Sequence, residues 1–175
     1  MRHAWVVGLT VALSACQSQP SALDPATRQA IADTIRTVSQ QMLVAMRGRN
    51  IDSVLAFYSK TASYAADGAI GDWDAVLRAA GPRYATYAKV DCRWIDPFRV
   101  DVPARTAAIV TSILHCEKAD TAGKRWVEHT VRTEVLAPED GRWRIIAFHE
   151  SNRADSLKAA APTGPRAAPA PGSRR

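Results

Sequence analysis

Two histidines, His129 and His149, lie in stretches that read as β-strands, and an imidazole pair is the best proton carrier this sequence offers. Imidazole titrates near neutral pH, so two such rings on one wall of an apolar cavity could move protons to and from a substrate. Side chains alternate between the two faces of a strand, which sorts these positions. In 142–151 the set Arg142, Arg144, Ile146, Phe148 and Glu150 opposes Trp143, Ile145, Ala147 and His149. The arginines call for water, so the second set is expected to face inward. In 125–136 the inward candidates are Val127, His129, Val131, Thr133 and Val135. His129, Thr133 and His149 are thus expected to share a cavity whose mouth Tyr58, Tyr64 and Trp73 close. The pattern equally fits core histidines with satisfied hydrogen bonds, so catalysis, ligand binding without chemistry and an empty cavity all stay open.

Cys92 and Cys116 offer a different chemistry. If 89–100 and 106–118 form a hairpin centred near Pro103-Ala104, the two residues sit opposite or nearly so, within disulfide reach. Two buried free thiols are the alternative. A metal at Cys92, Cys116 and His115 would need ligands the sequence does not supply, so no metal and no cofactor are expected. Asp67 adjoins a turn glycine, Asp91, Asp96 and Asp101 surround one strand, and Glu128 and Glu134 share a face with Arg132. That last trio reads as surface pairing worth little. There is no phosphate loop, nucleophile elbow or zinc motif.

Cys16 is set by its context. Met1-Arg2-His3, an apolar run from Ala4 to Ala15 and small residues before Cys16 make a signal peptide, with a run too short to span a bilayer. Leu13-Ser14-Ala15-Cys16 resembles the motif of bacterial lipoproteins. That resemblance implies diacylglycerol on the sulfur, cleavage before Cys16 and acylation, palmitate included, of the new N-terminus. Several acyl chains together anchor stably. By the same analogy Gln17 favours the outer membrane, with the domain facing the periplasm. The alternative is an ordinary signal peptide cut at Ala15.

The formal charge of +6 suggests nucleic acid until it is located. Residues 153–175 carry Arg153, Lys158, Arg166, Arg174 and Arg175 against Asp155, a net of +4. The 17 basic and 16 acidic residues of 16–152 leave that part near neutral. With export, nucleic acid is not an expected partner.

The elements that must hold these residues follow from periodicity and punctuation. After a polar spacer, 16–23, Asp24-Pro25 opens a helix with an apolar face of Ile31, Ile35, Val38, Met42 and Met46. Asn50 caps a short helix, 61–70 is extended with a turn at Asp67-Gly68, and Asp72 caps a third helix ending at Gly81-Pro82. Strands follow at 89–100, 106–118, 125–136 and 142–151, with a turn at Glu139-Asp140-Gly141. Three helices followed by a meander is an α+β order. The Ala/Pro-rich tail, 153–175, is expected to be disordered.

This order resembles the NTF2-like superfamily, especially its SnoaL-like and DUF4440-type members. The resemblance rests on Arg49-Asn50-Ile51-Asp52-Ser53-Val54-Leu55-Ala56-Phe57-Tyr58 and on Gly141-Arg142-Trp143-Arg144-Ile145-Ile146-Ala147-Phe148-His149-Glu150-Ser151. The second stretch is also similar to the end of the calcium/calmodulin-dependent kinase II association domain. Over 24–152 the resemblance implies a cone of three helices on a curved antiparallel sheet. Such a cone would bind a small, largely apolar ligand or form a homodimer through a sheet face carrying Trp126, Phe148 and Trp94. Fold alone does not decide activity. The alternatives are a SnoaL-like isomerase or hydrolase using His129 or His149, and a structural accessory of an envelope complex. Ketosteroid isomerases of this fold use an Asp base beside Tyr and a protonated Asp. The inward sets assigned above contain no carboxylate.

Overall fold

The computed structural model describes residues 23–66 and 68–156. The signal peptide, Cys16, most of the spacer, Asp67 and the tail from 157 lie outside the described residues. The helices are α1 (Pro25–Arg47), α2 (Ile51–Leu55) and α3 (Trp73–Ala85). The strands are β1 (Tyr58–Ala66), β2 (Ala69–Gly71), β3 (Tyr87–Ala104), β4 (Ala107–Asp120), β5 (Arg125–Glu139) and β6 (Arg142–Ser156).

Each helix starts where an oxygen side chain can take a free backbone N–H. Asp24, Asn50 and Asp72 accept from the amides of Thr27, Ser53 and Ala75. The buried stripe of α1 includes Ile35, Met42, Leu43 and Met46, with Ile31 and Val38 packed at its edge. α3 does not stop at Gly81-Pro82 but runs a further turn to Ala85. Pro82 forfeits only one helical hydrogen bond so near the end, while the Thr86 hydroxyl donates to the Arg83 carbonyl.

The strands form one sheet in the order β2-β1-β6-β5-β4-β3. All neighbours are antiparallel except β1 and β6, which run parallel. α1 packs along β3, and the core fills the space between helices and sheet with Ile35, Met42, Val110, Leu136 and Ile145. Asp140-Gly141, both at positive φ, form the two-residue turn between β5 and β6. β6 continues to Ser156, so residues 153–156 extend the sheet beyond the boundary expected at Asn152.

The sheet's register decides which side chains face the helices. Val135 pairs with Ala147 but Leu136 with Ile145, so Ile146 is an extra residue on β6. Before this bulge Ile145 is buried; after it Phe148, Glu150 and Asn152 point inward and His149 is exposed. On β5 the buried positions are Glu128, Thr130, Arg132, Glu134 and Leu136. The inward set of β5 is therefore the reverse of the one expected, and the alternation expected for β6 fails beyond Ile146.

Cys92 and Cys116 are direct partners on β3 and β4 and form a disulfide, with Cα atoms 4.1 Å apart. The turn lies at Arg105-Thr106, two residues beyond the expected centre. Irregularities between Asp101 and Ala104 and between Ile95 and Arg99 shift the register back, so the expected pairing is met. Pro97, inside the second irregularity, has no N–H to give a ladder. Both sulfurs sit in the core and close a 24-residue separation. Replacing both cysteines by Ala is expected to lower unfolding free energy by about 2–4 kcal/mol, read as an earlier urea midpoint.

Candidate functional site: a cavity between helices and sheet

A cavity of about 310 Å³ lies between the C-terminal end of α1, α2, α3 and the inner face of β4–β6. Its helix side is mostly apolar, supplied by Met46, Ile51, Val54, Leu55 and Val76, with Arg83 of α3 the charged exception. Its sheet side sets polar groups among the apolar Val90, Leu114, Cys116 and Phe148. Lys118, Glu128, Thr130, Arg132, Glu150 and Asn152 all contribute. Aromatic rings join the two sides: Phe148 meets Tyr58 edge-on and stacks on Tyr64, at centroid distances of 5.2 and 5.5 Å. Gly71 lies directly under the Tyr64 ring, where a Cβ would come within 2.3 Å of it, so only glycine leaves the ring in place.

Two ion networks organise the polar side. In the deeper one Arg132 donates through Nη2 to the Tyr58 hydroxyl at 2.8 Å. The same nitrogen is 2.8 Å from Glu134 Oε1, and Nε is 3.6 Å from Glu150 Oε2. Arg132 and Glu134 are 4% and 1% exposed, so neither charge could stand alone. Burial pushes the Glu134 carboxyl above its ordinary range, against the pull of Arg132. Desolvation likewise raises the Tyr58 phenol. Arg132 stays protonated, because Glu134, Tyr58 and Glu150 outweigh its burial.

The second network lies nearer α3. Lys118 Nζ meets Glu128 Oε1 at 2.5 Å, and Arg83 Nη2 meets Glu128 Oε2 at 3.3 Å. Arg83 also donates through Nε to the Tyr87 hydroxyl, and Lys118 lies over the Tyr87 ring. Glu128 thus ties α3 to the sheet with both oxygens. Thr130 donates to Asn152 beside it.

The expected site residues divide. Tyr58 and Tyr64 line the cavity. Trp73 packs against Tyr58 at 6.1 Å but borders a separate shallow depression with Lys60 and Asp72. His129, Thr133 and His149 are not in the cavity: His129 and Thr133 occupy the outer face of β5, and His149 is exposed after the bulge. Trp126, Phe148 and Trp94, expected on the outer face, pack against the core instead. Glu128, Arg132 and Glu134, expected as a surface trio, are buried. Register held the signal that was missed. Cys116 faces the core and pairs with Glu128, so the row of Glu128 must face the core too. Among the described residues no group of three or more His, Cys, Asp or Glu is arranged to hold a metal ion.

A family model for the SnoaL-like domain matches residues 35–155. No curated protein matches the chain in sequence. Among solved structures, a hexachlorocyclohexane dehydrochlorinase (LinA type 2) is similar at TM-score 0.63 and 14% identity, covering 81% of this chain and 99% of its own. A putative scytalone dehydratase from Novosphingobium aromaticivorans is similar at TM-score 0.66 and 13% identity, covering 79% and 97%. The association domain of C. elegans CaMKII follows at TM-score 0.58 and 17% identity, covering 71% and 98%. At these identities the likeness is one of fold. The family match, the cone of helices on a curved sheet and the cavity between them agree: this chain belongs to the SnoaL-like, NTF2-like domains.

Proposed function

We propose that this chain is a lipid-anchored protein of the bacterial envelope whose cavity binds a small molecule and does no chemistry on it. The observation that carries this reading is the state of the polar groups lining the cavity. Glu128 has both oxygens in ion pairs, and Arg132 is held between Tyr58, Glu134 and Glu150. Groups fixed in this way recognise a ligand but do not readily shuttle protons. The histidine-based isomerase or hydrolase loses its proton carrier, since neither His129 nor His149 lines the cavity. A mostly apolar helix side opposite a hydrogen-bonding sheet side suits a molecule with an apolar body and a polar end. The dehydrochlorinase and the putative dehydratase of this fold support a cavity scaled to small molecules.

Anchoring rests on Leu13-Ser14-Ala15-Cys16, and the outer membrane on Gln17. Pairing of two copies rests on the outer sheet face, where Ile109, Ile113, Val131 and Val135 leave apolar surface half-covered or exposed. An association domain of the same fold lends that reading support.

Native mass spectrometry of the protein extracted from its membrane should show one small-molecule adduct per chain, lost on denaturation. Protein that is free of any adduct, and takes up none from an extract of its own cells, would sink the binding reading. Cys16→Ser should move the protein from the membrane fraction to the soluble one. Arg132→Met should cost about 3–5 kcal/mol in chemical denaturation, because it strands Glu134 and Glu150 without a counter-charge. Adding Glu134→Leu to that variant should recover part of the loss.

A further inference from the structure

The outer face of the sheet carries a titratable pair that the cavity does not use. His115 on β4 and His129 on β5 are direct cross-strand partners. His115 Nδ1 and His129 Nε2 lie 3.0 Å apart, with the rings edge to face at 4.8 Å. Both side chains are half-buried beside Ile113 and Val131. The other nitrogen of His115, Nε2, is buried without a hydrogen bond and lies 3.9 Å from Glu117 Oε1. Arg93 reaches the same carboxylate oxygen at 3.9 Å.

We propose that His115 Nδ1 and His129 Nε2 form a two-nitrogen seat for a divalent transition-metal ion, copper(II) before zinc, on the outer face of the sheet. The spacing lets one ion reach both nitrogens. Two nitrogens 3.0 Å apart, each about 2.0–2.1 Å from one ion, subtend about 90–97° at it. That is the angle between neighbouring ligands in the tetragonal geometry of copper(II) or nickel(II), and it is narrower than tetrahedral zinc requires. Copper(II) also heads the affinity order for divalent ions.

The two rings now share one hydrogen bond; an ion bound to both facing nitrogens displaces that proton, which moves through solvent to the donor ring's other nitrogen, so both rings stay neutral. Glu117, 3.9 Å from Nε2, is the carboxylate nearest the far side of the His115 ring, one side-chain rotation from bonding its N–H, and its charge opposes that of Arg93. One chain supplies two ligands and water completes the set, so the site binds less tightly than a closed four-ligand centre. It is independent of the cavity.

The test is a copper(II) titration of the mature lipid-bearing protein, which begins at Cys16 and so lacks His3, in detergent, followed by tryptophan quenching and by electron paramagnetic resonance. Wild type should take one equivalent, with a spectrum split by two imidazole nitrogens and with zinc a poor competitor. His115→Asn and His129→Asn should each weaken binding at least tenfold, while His149→Asn, a lone exposed histidine on the same face, should leave it unchanged. A thermal melt of each variant checks folding, and the half-exposed His129 position keeps the test open if His115→Asn fails to fold. Unchanged binding in His129→Asn, or a wild-type spectrum without imidazole nitrogen, overturns the proposal.

Discussion

The pairing of β6 with β5 slips by one residue at Ile146, and the character of the cavity hangs on that slip. Before it, β6 sends Ile145 into the core; after it, Phe148, Glu150 and Asn152 take the inward positions. Without the extra residue, Ala147 and His149 would face the helices instead, and Glu150 would point away from Arg132. A bulge turns a strand that closes a hydrophobic core into one that also furnishes a polar wall. The same slip leaves His149 outside.

The buried charges follow from that arrangement. Arg132 and Glu134 sit on one strand two residues apart, so they share a face, and Glu150 reaches them from the neighbouring strand only because of the bulge. Such clusters add little net stability over well-packed apolar groups, yet losing one member is expensive. Here the cluster fixes the positions of Tyr58 and Glu150 at the cavity wall. Glu128 performs a comparable task at the other end, holding Arg83 of α3 against Lys118 of the sheet. The helix roof and the sheet floor are thereby registered to each other by charge as well as by packing.

Much of the fold was legible in the sequence, because its signals are local. Asp24, Asn50 and Asp72 announced the helix starts, Asp140-Gly141 the last hairpin, and the spacing of Ile35, Met42 and Met46 the buried stripe of α1. The cysteine pairing also came through, although the turn lies two residues further on, since two irregularities in β3 compensate. The site was less legible for two reasons. Alternation gives two faces but not which is inside, and the rule that charges seek water fails where opposite charges meet, as in Glu128, Arg132 and Glu134. A bulge leaves no mark in hydropathy, so the phase of β6 beyond Ile146 could not be read from it. The parallel contact of β1 with β6 joins segments distant in sequence and had no local signal either.

The course of α1 sets a direction for the whole domain. Asp24, at its start, is ion-paired with Arg105 in the β3–β4 turn, while Met46, near its end, lines the cavity. A helix of 23 residues is about 35 Å long. The chain therefore enters the domain at one pole, and the ligand chamber opens near the other. Under the proposed anchoring at Cys16, the tether joins the domain at the pole opposite the chamber, so a ligand that fills the chamber leaves the attachment end of α1 untouched.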